Sequence, residues 1–108
     1  MRGTSTKALL SEPRRHLLEA MQRLNFGRIE GLVLRNGEPV FQPAPRIIQD
    51  IKIGGENGPR PELTIEDFAL KSSVIELFDH LARIGDGTLE SIEVKYGMPF
   101  KLVVEQAA

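Results

Sequence analysis

The composition of this chain of 108 residues is typical of a small soluble domain, with 41% hydrophobic residues, 27% charged residues and a net charge of −1. This charge argues against a strong non-specific grip on nucleic acid or anionic lipid, which needs an excess of basic residues. The absence of cysteine excludes disulfides, thiol nucleophiles and cysteine metal sites. The N-terminal "MRGTSTKALLSEP" lacks the apolar stretch of a signal peptide, and no apolar run approaches the roughly 18 residues of a membrane span. We therefore expect a cytoplasmic protein with no membrane partner.

The first predicted element is a helix from about residue 12 to residue 25, preceded by a flexible N-terminus at residues 1–10. Ser11 is the expected N-cap, and Pro13 falls in the first turn, where its missing N–H group is tolerated. Gly27 is the expected C-cap, because glycine adopts a positive φ without strain. The apolar residues between these signals have helical spacing: Leu17, Ala20, Met21 and Leu24.

A hairpin is predicted next. Residues 29–35 are rich in branched side chains, and Asn36-Gly37 predicts a two-residue type I′ turn, in which both positions need a positive φ. Pro43 and Pro45 interrupt the return strand, which places it at a sheet edge or a bulge. Alternation resumes over residues 46–53, where one side carries three isoleucines and the other carries only Ile48; the three are Ile47, Ile51 and Ile53.

Residues 54–63 are predicted to be a Gly/Pro linker. Thr64 and Asp67 have the spacing of a helix start, and an apolar stripe runs from there to Ile84. A second hairpin is expected at residues 89–105, with its turn at Tyr96-Gly97. The predicted order of elements is therefore α-β-β-α-β-β.

The two halves of the chain match at an offset of 60 residues. Between positions 16–40 and 76–100, six of twenty-five residues are identical, and in the first half these are Leu17, Arg23, Gly27, Glu30, Gly37 and Pro39. The alternative is coincidence between two helix-and-hairpin segments that share turn chemistry. A lone hairpin is too little sheet to be stable. We therefore predict one α+β domain over residues 11–108, built as a pseudo-twofold of two repeats (11–53 and 64–106), with a four-stranded antiparallel sheet and two helices on one face.

The helix followed by G-x-(I/L)-E-x-(L/I)-x-(V/L)-(R/K)-x-G-x-P-(V/F) resembles the small bacterial YezD-like proteins, which are single helix-plus-hairpin units of unknown function. The similarity covers residues 14–41 and 74–104, about half of the chain. Pro43 and Pro45 depart from the family's pattern. The resemblance implies no catalytic residues. It implies that single units pair, so that a chain with two units corresponds to a fused dimer.

The strongest candidate for a catalytic site is a pair of glutamates at equivalent positions, Glu30 and Glu90. Paired carboxylates can carry out acid–base catalysis. Arg23 and Arg83 are also repeated, seven residues before each glutamate. Ion pairs at a protein's rim are far commoner than catalytic dyads. We therefore expect each arginine to brace its glutamate, and we predict that the protein is not an enzyme.

Histidines and the glycine-rich stretch offer weaker signals. Glu76 and His80 have the i, i+4 spacing of two metal ligands, but no second cluster accompanies them. His16 is equivalent to Glu76, so the repeat does not reinforce a histidine site. "IGGENG" fits no phosphate-loop pattern. We expect no catalytic site, no metal and no cofactor.

A set of basic and aromatic residues on the strands is the candidate contact surface: Arg35, Lys52, Lys95, Tyr96 and Lys101. The favoured hypothesis is a non-enzymatic module for protein interaction or oligomerisation, a homodimer that works through its sheet edge or uncovered face. The alternative is a small nucleic-acid-binding protein that uses its sheet face for single strands. Among partners, self-association is therefore favoured over nucleic acid.

Overall fold

The computed structural model describes residues 10–54 and 72–105. The elements within these ranges are α1 (Glu12–Leu24), β1 (Phe26–Glu30), β2 (Val33–Arg35), β3 (Glu38–Val40), β4 (Arg46–Gln49), α2 (Ser72–Ile84), β5 (Gly87–Thr88), β6 (Ser91–Lys95) and β7 (Met98–Val103). The helix start at Thr64 and Asp67, most of the linker and the N-terminal nine residues lie outside the described residues. Within those residues, no helix is both long enough and apolar enough to cross a membrane.

The start of α1 confirms the sequence signals, whereas its end corrects them. The Ser11 side chain accepts a hydrogen bond from the Arg14 N–H at 3.3 Å, and Pro13 lies in the first turn. The helix ends at Asn25, which has a φ of 67° and donates its N–H to the Met21 carbonyl. Asparagine tolerates a positive φ better than most residues. Gly27 is therefore not the C-cap but a buried residue of β1.

Both hairpin turns have the predicted backbone. Asn36 and Gly37 have φ values of 53° and 76°, and Tyr96 and Gly97 have values of 54° and 75°. Two consecutive residues with positive φ are the signature of a type I′ turn, which matches the twist of the strands on either side. Each turn also reaches the end of the helix from the other half of the chain. Gly37 donates its N–H to the Gly85 carbonyl at 2.8 Å, and Gly97 donates to the Asn25 carbonyl at 2.9 Å.

The strands form two antiparallel sheets. One has four strands in the order β4-β1-β6-β7, and the other has three in the order β3-β2-β5. The α+β class is confirmed, but the single four-stranded sheet is not. The side of the chain that faces the core changes between Ile29 and Leu32, around Gly31 with its φ of 74°, and again between Leu89 and Ile92. A change of side within an extended segment interrupts its pairing. The segments 26–35 and 87–95 therefore each contribute one strand to either sheet.

One hydrophobic core joins both helices to both sheets. Its largest fully buried members are Leu17, Leu18, Met21, Ile29, Leu32, Leu34, Val74, Leu81, Leu89 and Ile92. Burial of such side chains is the main favourable contribution to folding. Because the two helices share this core, each half of the chain depends on the other for its stability.

Candidate interaction surface

Strand β4 is at the edge of the four-stranded sheet. The Asp50 N–H donates to the Phe26 carbonyl at 2.8 Å, and in an antiparallel pair the hydrogen-bonding groups of successive residues point to alternate sides. The backbone groups of Ile48 therefore point toward β1, and those of Ile47 and Gln49 point outward. No strand in residues 10–54 or 72–105 pairs with this outer side. Among the described residues, this edge therefore presents backbone donors and acceptors without a partner strand.

Exposed isoleucines line this edge. Ile47 is 55% exposed, Ile51 63% and Ile53 92%, and all three share one parity of the chain. Ile29, the partner of Ile47 on β1, is only 1% exposed. The contrast shows that the core ends between these two neighbouring strands. We call the segment 46–53, with its three exposed isoleucines, the isoleucine edge.

The other edge strands carry features that discourage pairing with another chain. Strand β7 contains Pro99 and Lys101 and has an irregular register with β6 next to Glu93. Strand β3 is three residues long and contains Pro39, and β5 has two residues. Proline, lysine, bulges and short length all protect sheet edges. Strand β4, with the sequence RIIQ, contains no proline, no lysine and no bulge, and its register with β1 is regular.

Two contacts hold β4 firmly against the rest of the domain. The Gln49 side-chain Nε2 donates to the Leu24 carbonyl at 3.1 Å, at the end of α1. Gly27 faces Gln49 across the ladder, and a Cβ at Gly27 would lie 2.1 Å from the Ile48 carbonyl oxygen. The glycine therefore lets β4 approach β1 closely. The isoleucine edge begins on a fixed strand rather than in a loop.

The face of the four-stranded sheet that points away from the buried side chain of Ile29, here called the open face, carries an ion-pair cluster around Glu30. Arg28 Nε donates to Glu30 Oε2 at 2.7 Å, and Arg46 Nη1 lies 3.3 Å from Glu30 Oε1. The hydrogen bond from Arg28, together with the charges of Arg28 and Arg46, lowers the pKa of Glu30 despite partial desolvation. The hydrogen bond to Glu30 likewise raises the pKa of Arg28. This cluster ties β4 to β1 on the open face.

The expected braces between helix ends and strands are not formed in the described part of the chain. Glu30 contacts Arg28 and Arg46 rather than Arg23. Arg28 lies two residues from Glu30, so both side chains point to the same face of β1, whereas Arg23 lies on the helix. Glu90 and Arg83 are both exposed, and no ion pair joins them. Glu30 and Glu90 thus have different surroundings, although they occupy equivalent positions in the sequence.

The five predicted contact residues do not form one patch. Lys95, Tyr96 and Lys101 lie on the β6–β7 hairpin, whereas Arg35 ends β2 in the other sheet. Lys95 is paired with Phe26, the first residue of segment 26–35. Arg35 is the last residue of that segment and so lies far from Lys95 along it. Lys52 follows β4 on the isoleucine edge. Any surface used for contact includes only some of these residues.

Most of these basic and aromatic groups already have partners within the chain. Lys101 lies 3.8 Å from Glu93, and the Lys95 ammonium lies 4.4 Å from the centre of the Phe100 ring. The Tyr96 ring packs edge-on against Phe26, with centroids 4.8 Å apart. The Phe41 ring stacks on His16, with centroids 4.2 Å apart. Lysines and aromatic rings that are engaged in this way are less available for contact with single-stranded nucleic acid.

The helix histidine has one acidic neighbour. His80 Nε2 lies 3.8 Å from Glu76 Oε2. No group of three or more metal-binding side chains occurs in the part of the chain that the structure describes. A metal site needs at least three ligands in suitable geometry. The pair on α2 is therefore suited to a surface ion pair when His80 is protonated.

Comparison with protein-family models, with curated proteins and with solved structures found no match to this chain. Sequence reasoning selected the isoleucines of the edge but missed Arg46, Gln49 and Asp50, which determine the chemistry of β4. The only signal for them is the alternation in RIIQD, and its meaning depends on which strand pairs with it.

Proposed function

We propose that this protein is a non-enzymatic interaction module that self-associates through the free edge of β4. The observation that carries the proposal is the unprotected edge itself: a fixed strand with outward-facing backbone groups, bordered by exposed isoleucines. An added strand satisfies such an edge through main-chain hydrogen bonds, and apolar side chains beside it supply buried area. The other edges of the described sheets are short or protected, which favours β4.

The proposal includes the repeated architecture. We take residues 11–53 and 64–106 as two copies of one helix-plus-hairpin unit, similar to the YezD-like proteins. Support comes from the exchange of contacts at an offset of 60 residues, in which Gly37 bonds to Gly85 and Gly97 bonds to Asn25. Such an exchange is expected when two units that cannot close a core alone are joined in one chain. One chain then contains two fused units that share one core. The β4 edge is the surface through which two such chains associate.

Nucleic-acid binding remains the alternative function, and the charge pattern makes it the weaker one. Lys101 is matched by the carboxylate of Glu93, and the Lys95 ammonium lies over the Phe100 ring. A net charge of −1 supplies no general attraction for a polyanion. The isoleucine edge has no role in this alternative.

The proposed association is tested by measuring mass as a function of concentration, using light scattering after size exclusion. We expect the chain of 12.0 kDa to approach twice that mass as concentration rises. Ile47→Pro removes an outward-facing N–H without touching the hydrogen bonds to β1, and we expect it to abolish association. Ile53→Ser is the matched control, because it removes an exposed isoleucine outside β4 and should change association much less.

Two results would count against the proposal. One is a constant mass of 12.0 kDa at the highest attainable concentration. The other is an Ile47→Pro variant that remains folded by circular dichroism and associates as the unchanged chain does. The second result would assign the contact to another surface of the domain.

A further inference from the structure

The side chains of β4 also indicate how two copies would align. We infer that the partner of this edge is a second copy of the chain, paired antiparallel about a twofold axis at Ile48, so that Arg46 of each copy faces Asp50 of the other. This inference rests on the proposed function, because it concerns the same edge. It adds the antiparallel orientation of the two copies and the register of the contact.

The backbone restricts the registers that are available. The backbone groups that point outward belong to Ile47 and Gln49. Hydrogen-bonded pairs between the two copies must therefore be formed by these outward-facing residues. An axis at Ile48 sets Ile47 opposite Gln49 of the second copy on both sides. It also keeps every paired residue within the stretch 46–50, which is already held in extended form by β1.

Charge selects among the registers. Arg46, Ile48 and Asp50 lie on the open face, in register with Glu30, Arg28 and Phe26 of β1. An axis at Gln49 would place Arg46 opposite Lys52 of the second copy, and an axis at Asp50 would place two carboxylates opposite each other. Like charges directly opposite on neighbouring strands are destabilising, and opposite charges are stabilising. The axis at Ile48 yields two Arg–Asp pairs and no like-charge pair.

The arginine is available for this role. The Arg46 side chain is 77% exposed, and its contact with Glu30 uses Nη1. A guanidinium has five N–H donors, so others remain for a carboxylate of a second copy. Ile48, on the axis, meets its own counterpart, which adds an apolar contact at the centre.

A reciprocal charge exchange tests the register. In Arg46→Glu, each glutamate would face Asp50; in Asp50→Arg, each new arginine would face Arg46. We expect each variant alone to associate at least about tenfold more weakly than the unchanged chain, because two pairs become repulsive. Mixed in equal amounts, the two variants form a heterodimer in which both pairs again have opposite charges. Native mass spectrometry separates this species from either homodimer by mass.

Single cysteines supply a second, independent readout, since the chain has none of its own. Residues on the axis in a non-hydrogen-bonded pair have Cα atoms about 4.5 Å apart, a distance that permits a disulfide. Ile48→Cys should therefore cross-link rapidly under a glutathione redox buffer. Gln49→Cys and Asp50→Cys are matched controls, which would cross-link faster only if the axis lay at their own positions. Lys52→Glu tests one further register. It should leave association unchanged, whereas with an axis at Ile51 the new glutamate would face Asp50 of the second copy and weaken association.

The outcomes separate the register from the function. Failure of the mixed variants to associate, or cross-linking of Gln49→Cys ahead of Ile48→Cys, would overturn the register. If Ile47→Pro still abolished association in that case, the β4 edge would remain the contact surface. A chain that stays monomeric throughout would overturn both the register and the self-association.

Discussion

The backbone N–H of Gly37, in the first hairpin turn, donates to the carbonyl of Gly85, at the end of the second helix, over 2.8 Å. These residues are 48 positions apart in the chain. A Cβ at Gly37 would lie 2.9 Å from the Cα of Ala82, so the turn packs directly on the helix backbone. This contact connects the two halves of the chain and needs glycine for both its conformation and its closeness.

Gly37→Ala is expected to destabilise the domain more than Gly31→Ala. Both glycines have nearly the same φ, 76° and 74°, so alanine adds similar backbone strain, about 1–2 kcal/mol, at each. Nothing lies within 4 Å of a Cβ at Gly31. The clash with Ala82 should add at least about 1 kcal/mol at Gly37. Urea unfolding measures both values, and equal losses would contradict the close contact between turn and helix.

A second pair of glycines tests how closely β4 packs against β1. Gly27 and Gly87 are 60 residues apart and have the same φ of 150°. A Cβ at Gly27 meets the Ile48 carbonyl, whereas one at Gly87 meets no atom within 4 Å. We expect Gly27→Ala to cost about 1–3 kcal/mol more than Gly87→Ala in unfolding free energy. Hydrogen exchange should also accelerate at Ile48 and Asp50 in the first variant; unchanged exchange there would show that β4 is held by other contacts.

The Glu30 cluster predicts a dependence of stability on pH. The pKa of Glu30 is lowered in the folded protein, so its contribution is present above the unfolded pKa of about 4.3 and is lost as the pH falls through the folded value. Glu30→Gln should therefore destabilise the domain at neutral pH, and its difference from the unchanged chain should shrink in acid. Thermal unfolding from acid to neutral pH measures this difference.

Glu90→Gln is the control for the preceding measurement. Glu90 is exposed and equivalent in sequence to Glu30, but it lacks the two arginine contacts. Its replacement should change stability little at any pH, as is usual for exposed charges. A loss equal to that of Glu30→Gln, with the same pH profile, would show that net charge rather than the cluster is responsible.

Fluorescence anisotropy with short labelled single-stranded RNA and DNA tests the alternative function. We expect no binding even at low ionic strength, because the lysines of the open face have partners within the chain. Salt-dependent binding that Lys95→Ala and Lys101→Ala both remove would favour the alternative. Arg35→Ala is the control for that case, since Arg35 lies in the other sheet.

The sequence predicted features that depend on neighbouring residues. Ser11 caps α1 because its side chain meets a backbone group three residues away, and Asn36-Gly37 turns because both residues tolerate a positive φ. The apolar stripes of the helices likewise predicted their buried faces. Gly27 was assigned wrongly because Asn25, which tolerates positive φ, ends the helix two residues earlier.

Only the tertiary structure decided which segments meet. The split into two sheets follows from the change of inward side at Gly31, and the partners of Glu30 follow from the pairing of β4 with β1. No local pattern encodes these results, because strand register is determined by packing between residues far apart in sequence. The sequence by itself determined the helices, the turns and the parity of the isoleucines. The tertiary structure made those isoleucines an exposed edge, because the core ends at Ile29, one strand before them.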